Sequence, residues 1–266
     1  MMMKTIVLFV LIISLCKSTL NAQNDTMYVI KNGEIVGKYN VNTELDSIIF
    51  YKPGSMPVSK FTDSRDGRVY RSITVGNQVW MAENLKYLPS VTGPGTSSST
   101  SACYYVYGYN GTDVATAKTS INYLIYGVLY NWYAAMNGAA SSSSSPSGVQ
   151  GACPAGWHLP STAEWTTLIN SLGGAAVGGG KLKETGTAHW ETPNTGATNE
   201  IFFTALPGGY VGNGSFYNIG SNVFWYSATA ISGTDAEYRL IYAKYGKIDQ
   251  GSLDKKTGLA VRCVKD

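Results

Sequence analysis

With 266 residues and 44% apolar side chains, the chain is long enough for one good-sized domain with its own core plus a small appendage. Charged residues make up only 14%, 20 basic against 17 acidic and scattered along the chain, so the basic patch that a nucleic-acid backbone requires is excluded. The 30 glycines and 19 tyrosines point to turns, short strands and loops.

Residues 1–22 read as a secretory signal: Lys4 is the positive region, residues 6–15 form an apolar run, and Leu20-Asn21-Ala22 ends in a small residue suited to cleavage. A run of ten residues is half of the ~20 that span a bilayer, so no transmembrane span is expected. The protein is placed outside the cell or on its outer surface after cleavage near Ala22. A lipoprotein start at Cys16 is the weaker alternative, because Leu15 stands where such signals carry a small residue. Cleavage removes Lys4 and Lys17 and leaves 244 residues with three cysteines, Cys103, Cys153 and Cys263. In an oxidising compartment one disulfide and one leftover thiol are the default, and spacing does not choose the pair.

Residues 23–57 read as a small β-module and linker: two β-rich runs, beginning at Asp25 and Asp46, are separated by Asn32-Gly33 and a polar middle, and Pro53 and Pro57 interrupt any further ladder. The main domain covers residues 58–266. It opens with two strands, over Thr62 to Tyr70 and Ile73 to Met81, with turns at Asp66-Gly67 and Gly76-Asn77. Serine-rich stretches at 96–101 and 141–145 belong on the surface and flank a helical candidate, in which Leu129, Trp132, Tyr133 and Met136 recur until Asn137-Gly138.

The central stretch runs from Cys153 to Gly174. Ser161, three residues before Glu164, is a capping box that starts a helix. Trp165, Leu168, Ile169 and Leu172 then share one face, and Gly173-Gly174 ends the helix. The glycine run that continues to Gly180 reads as a flexible helix exit. Beyond it come short aromatic strands over 202–210, 214–217, 223–229, 237–242 and 259–264, an antiparallel and loop-decorated half.

Catalytic chemistry finds little support. Only His158 and His189 are present, with no His-Glu-x-x-His and no Cys-x-x-Cys, and His158 reads as a packed residue beside Trp157. The run before Lys181 fails as a phosphate loop, with Ala175 where the first glycine belongs and Leu182 where Ser or Thr is needed. Glu184, Glu191, Glu200, Asp235 and Glu237 do not resolve into a pair. No catalytic or metal-binding residue is assigned.

Six motifs follow one another along the chain: Gly67-Arg68-Val69-Tyr70, Gly76 to Leu85, Tyr126 to Ala135, Cys153 to Trp165, Ala205-Leu206-Pro207-Gly208-Gly209-Tyr210, and Val261-Arg262-Cys263-Val264. In that order they resemble the Fibrobacter succinogenes major paralogous domain over nearly all of residues 61–266. The Gly156-Trp157-His158-Leu159-Pro160 stretch and Val261-Arg262-Cys263 are also similar to the formylglycine-generating-enzyme group. The resemblance implies an α+β, C-type lectin-like domain with two main helices, short antiparallel sheets and long loops, and it implies a Cys153–Cys263 disulfide. Members look like exported or surface proteins of Bacteroidota and Fibrobacterota, and the leading segment resembles a short β-module common ahead of Bacteroidota surface domains. This chain departs in three ways. It has no cysteine between Cys103 and Cys153, where many relatives carry a second one soon after the position of Cys103. It has no cysteine between Cys153 and Cys263 to match the copper-binding pair of formylglycine-generating enzymes. Its Glu191-Thr192-Pro193-Asn194 breaks the Glu-Pro-Asn of calcium-dependent lectins. No cofactor is predicted, and calcium stays open without its usual motif.

The better functional candidates are late aromatics. Tyr210, Tyr217, Trp225, Tyr226, Tyr238 and Tyr242 offer flat apolar faces with polar edges, with Arg239 and Asp235 as added polar contacts. The expected function is a non-catalytic binding or adhesion module for a glycan or a surface protein. A polysaccharide-acting enzyme and a structural accessory docked through Cys103 or the β-module are the alternatives.

Overall fold

A computed structural model of the chain describes residues 26–31, 34–40 and 58–266. The signal segment 1–22 with Cys16, Asn32-Gly33, the run beginning at Asp46 and the linker 52–57 lie outside the described residues. The chain divides into two compact units, Met1–Pro53 and Gly54–Asp266. In the first, β1 (Thr26–Lys31) and β2 (Glu34–Asn40) pair antiparallel, from Lys31 opposite Glu34 to Thr26 opposite Asn40. The partner of the first β-rich run is therefore the segment just after Asn32-Gly33.

The second unit opens with a meander of β3 (Val58–Thr62), β4 (Val69–Val75) and β5 (Gln78–Met81). Thr62 lies opposite Val69 and Val75 opposite Gln78, which puts the turns at Asp66-Gly67 and Gly76-Asn77. After β6 (Tyr104–Tyr105) come α1 (Val114–Thr119) and α2 (Ile121–Tyr126), capped by Asp113 and Ser120. Two strand residues, β7 (Leu129–Tyr130), precede α3 (Trp132–Met136). Leu129 is therefore not helical. Asn131 ends the strand and caps the helix, accepting the Ala134 N–H at 2.9 Å. Next come β8 (Trp157–His158), α4 (Thr162–Ser171) and α5 (Ala175–Leu182). The last stretch holds β9 (Gly208–Gly212), β10 (Ser215–Ile219), β11 (Asn222–Ala230), β12 (Asp235–Tyr242), β13 (Ile248–Asp254), β14 (Leu259–Ala260) and β15 (Val264–Lys265).

The fold is α+β, with five helices among the described residues rather than two. One sheet has the order β3-β4-β5-β15-β8. The other has eight strands, β10-β9-β11-β14-β7-β6, with β12 on β11 and β13 on β12. The larger sheet is mixed where an antiparallel one was expected, since β11 runs parallel to both β9 and β14. The run read as one strand over 259–264 serves both sheets. Leu259 pairs with Tyr130 and Val264 with Trp80, because the carbonyls of Val261 and Cys263 between them accept the N–H groups of Leu85 and Met81. Residues 202–207 likewise lie outside any strand, with Phe202 and Thr204 at positive φ.

Helix α4 forms as its sequence requires. Ser161 accepts the Glu164 N–H and Glu164 accepts the Ser161 N–H, while Trp165, Leu168, Ile169 and Leu172 are buried. That face packs with Val223, Trp225 and Ile241 of the larger sheet in one core. Phe224, Tyr226 and Leu240 point the other way into a second core with Met81, Leu159, Cys153 and Cys263. Cys153 and Cys263 are bonded, with Cα atoms 5.9 Å apart, as the family resemblance implies. Cys103 is 5% exposed, so its thiol is not presented to a docking partner.

The glycine run is not a flexible exit. Gly178, Gly179 and Gly180 are buried within α5, and a Cβ on Gly179 or Gly180 would overlap the carbonyl oxygen of Lys247 or Gly196. Glycine here lets the helix backbone touch two other backbones. Gly179→Ala gains about 1 kcal/mol of helix propensity. It is nonetheless expected to lower stability by about 1–3 kcal/mol through overpacking. Thermal melting checks this, and a stabilised variant would show that the close approach is not real.

Candidate functional site

The larger sheet brings four of the sequence-selected tyrosines onto one face. In β11 and β12, Phe224 lies opposite Leu240 and Tyr226 opposite Tyr238, while in β9 and β10 Tyr210 lies opposite Tyr217. Side chains two apart on a strand share a face, so Tyr238 and Tyr242 line up with Phe224. The rings form a chain of contacts: Tyr217 to Tyr210 at 5.2 Å between centroids, Tyr210 to Phe224 at 5.1 Å, and Phe224 to Tyr238 at 5.4 Å. Tyr242 lies one further step along β12 and meets Tyr245 at 5.6 Å.

Two details shape this strip. Gly251 stands directly opposite Tyr238, and a Cβ there would sit 2.6 Å from the Tyr238 hydroxyl, so the ring lies across bare backbone. Lys247 and Asp249, paired at 2.8 Å, flank the end of the strip, with the Lys247 ammonium 5.7 Å from the Tyr242 ring and 5.5 Å from that of Tyr245. Tyr217 and Tyr245 are the exposed ends, at 37% and 52%, Tyr210, Tyr238 and Tyr242 are half-buried, and Phe224 between them is a buried residue of the second core.

Burial pushes the phenol pKa up at Tyr210, where Tyr217 adds to it, and at Tyr238, where Asp249 adds to it. Burial and the neighbouring Asp249 push Tyr242 up to about 12. These three hydroxyls stay protonated at neutral pH, each able to donate and accept a hydrogen bond.

Trp225 and Arg239 have no part in this surface. Both belong to the opposite face of the sheet, 0% and 1% exposed. The Trp225 indole donates to Asn84 Oδ1 at 2.8 Å and packs on Trp165. Arg239 donates to the carbonyls of Tyr238 and Thr162 and lies 3.6 Å from Glu237, and burial lowers its pKa. Tyr226 is also fully buried, its hydroxyl donating to the Thr257 carbonyl at 2.7 Å. Asp235 is occupied by Ser232 and Thr234 beside it.

Sequence reasoning missed Phe224, Tyr245 and Gly251 as parts of the strip. Period-two spacing from Tyr226 was the available signal for Phe224. Strand β13, which supplies Gly251, carries too few apolar residues to announce itself.

The histidines are spent on structure. His158, 2% exposed, lies between Glu164 Oε1 at 2.6 Å from Nε2 and Asp266 Oδ1 at 2.7 Å from Nδ1. His189 pairs with Glu184 at 2.8 Å. Within the interrupted lectin-like stretch, Glu191 accepts the Ser221 hydroxyl, and the Asn194 amide donates to the carbonyls of Glu184 and Gly186. Among the described residues no group of three or more His, Cys, Asp or Glu side chains is placed to hold a metal ion. No helix among them is long and apolar enough to cross a membrane.

Comparison with known proteins returns one family and no individual relative. Neither a curated protein nor a solved structure matches the chain. The Fibrobacter succinogenes major domain matches residues 73–265, a stretch that runs from within β4 to β15 and includes the disulfide and every tyrosine of the strip. A match over more than half of its length makes this chain a member of the Fibrobacter succinogenes major domain family.

Proposed function

We propose that the second unit is a non-catalytic binding module of an exported protein, which holds polysaccharide against the tyrosine strip of its larger sheet. The observation that carries this reading is the continuous contact chain Tyr217–Tyr210–Phe224–Tyr238, extended by Tyr242 and Tyr245 and flanked by Lys247 and Asp249. Rings with apolar faces and polar edges suit sugars, whose C–H faces stack while hydroxyls exchange hydrogen bonds with phenols and charged groups. A C-type lectin-like scaffold is supported by the Cys153–Cys263 bond and by the pairing of β15 with β5, which closes the end of the chain onto the start of the domain. The apolar run and small-residue site of 1–22 support delivery to the cell exterior.

Affinity electrophoresis and a glycan array test the reading, each with calcium and with a chelator. Tyr217→Ala and Tyr242→Ala are each expected to weaken retention about tenfold, about 1.4 kcal/mol, while the melting temperature of Tyr217→Ala stays within a few degrees. Retention undiminished in both variants would remove the strip from consideration. Absence of any glycan binding, with capture by a defined surface protein instead, would favour the adhesion alternative.

A further inference from the structure

A second feature lies apart from the tyrosine strip and shares none of its residues. Five separate segments enclose a cleft of about 90 Å³ whose lining includes Arg71, Glu83, Asn84, Lys86 and Arg262. That volume is several times the ~10–15 Å³ that one water needs. Its depth is graded by exposure: the Arg71 side chain is 51% exposed, that of Lys86 9%, and Arg262 1%. Three cations thus face one carboxylate.

Arg262 is the unusual member. Its Nε and Nη2 both donate to Asn84 Oδ1, at 3.3 and 2.9 Å, and its Nη1 donates to the Phe203 carbonyl. The guanidinium carbon lies 4.1 Å from the Phe203 ring centroid and 5.4 Å from that of Trp225. These partners are dipoles and π faces. Among the described residues no carboxylate pairs with this buried charge. Burial lowers the Arg262 pKa to about 9, with Glu83 opposing the shift.

An arginine has five N–H groups, and three are accounted for, leaving one on each terminal nitrogen. Glu83 makes no ion pair with Arg262: its Oε1 accepts the Arg71 main-chain N–H at 3.2 Å, and its Oε2 lies 3.6 Å from the Lys86 ammonium, which donates to the Leu124 carbonyl at 2.6 Å. A buried cation without a counter-ion is costly, and a planar two-oxygen anion is the partner whose geometry matches a guanidinium. Ile125 and Leu206 in the lining supply apolar wall for carbon attached to that anion.

We propose that this cleft is a receptor for an organic carboxylate, which enters past Arg71 and Lys86 to reach Arg262. Both a free small carboxylic acid and the uronic acid unit of an acidic polysaccharide carry that group. The cleft does not depend on the tyrosine strip, and either can fail without the other.

Isothermal titration of the mature chain at constant ionic strength is the test, with sodium galacturonate, sodium formate, galacturonic acid methyl ester and sodium phosphate as probes. Saturable one-to-one binding of formate is expected, and galacturonate is expected to bind at least tenfold more tightly than its neutral ester. Arg71→Gln, a change at an exposed rim residue, is expected to weaken carboxylate binding about three- to tenfold with the melting temperature held. Arg262→Lys is expected to abolish it, and Arg71→Gln keeps the test decisive if that core variant does not fold. Tighter binding of galacturonate than of formate assigns the site to acidic sugar, and equal binding assigns it to the carboxylate alone. The proposal is overturned if no saturable heat appears, if the ester binds as well as the acid, if phosphate is preferred, or if Arg71→Gln changes nothing.

Discussion

Replacing Cys153 and Cys263 together by alanine is expected to lower the unfolding free energy by about 4 to 5 kcal/mol in the chain-entropy account of disulfides. The bond closes a loop of 110 residues, which holds α4, α5 and every strand from β9 to β14. Without it, the unfolded chain regains the freedom to separate the entrance of α4 from the last strands. Denaturant titration of the oxidised protein beside the double variant measures the difference, and reductant should move the natural protein most of the way to the variant's midpoint, stopping short by the cavity contribution. A change below about 1 kcal/mol would mean that the packed cores alone hold these segments together. Both sulfurs are fully buried among Met81, Leu159 and Val261, so alanine leaves small cavities that add to the loss.

Glu164→Ala is expected to be nearly as damaging, at about 3–5 kcal/mol. This carboxylate is 3% exposed, accepts the N–H groups of Ser161 at 3.0 Å and Ser147 at 3.1 Å, and lies 2.6 Å from His158. Alanine therefore leaves two buried donors without a partner and removes the buried counter-charge of the imidazole, two of the most costly kinds of loss. Glu164→Gln, which keeps one oxygen and the side-chain length, is expected to cost less. Chemical denaturation of the three proteins at one pH ranks them, and a Gln variant as stable as the natural protein would show that the carboxylate only fills space.

The same cluster makes stability pH-dependent. Burial pulls the His158 pKa down, but hydrogen bonds and charge from Glu164 and Asp266 outweigh it and leave the pKa raised. A raised pKa means that the folded state holds the proton more tightly than the unfolded state does. The stabilisation is then complete below the unfolded value of about 6.5 and is lost as pH rises through the higher folded value. Unfolding free energy measured across that window should fall with rising pH, and the fall should be absent in His158→Gln. An identical slope in that variant would assign the dependence to another group.

Local signals in the chain were read correctly where a few neighbouring residues settle the outcome. Ser161 and Glu164 meet because three residues of helix separate them, and the Gly76-Asn77 turn follows from the short stretch between two β-rich runs. The same locality explains the failures. Leu129 shares helical spacing with Trp132 and Met136 yet is a strand residue, because Tyr105 and Ala260 pair with it from distant parts of the chain. The Gly178–Gly180 run has a flexible composition yet is rigidly used, because the backbone around Lys247 and Gly196 presses against it.

By itself, then, the amino-acid sequence determined the family, the capped helix α4, the turns of the opening meander and the aromatic wealth of the last strands. Which aromatics form a surface was decided only in three dimensions. Tyr238 and Arg239 are adjacent in the chain, and the pleat sends one to the half-exposed strip and the other into the core beside Glu237. The cation-rich cleft is likewise a tertiary product, assembled from segments around Arg71, Glu83, Ile125, Leu206 and Arg262. Backbone conformation is set by neighbours within a few residues, but the face a side chain occupies depends on strand register and on partners tens of residues away, information that no local window of the chain contains.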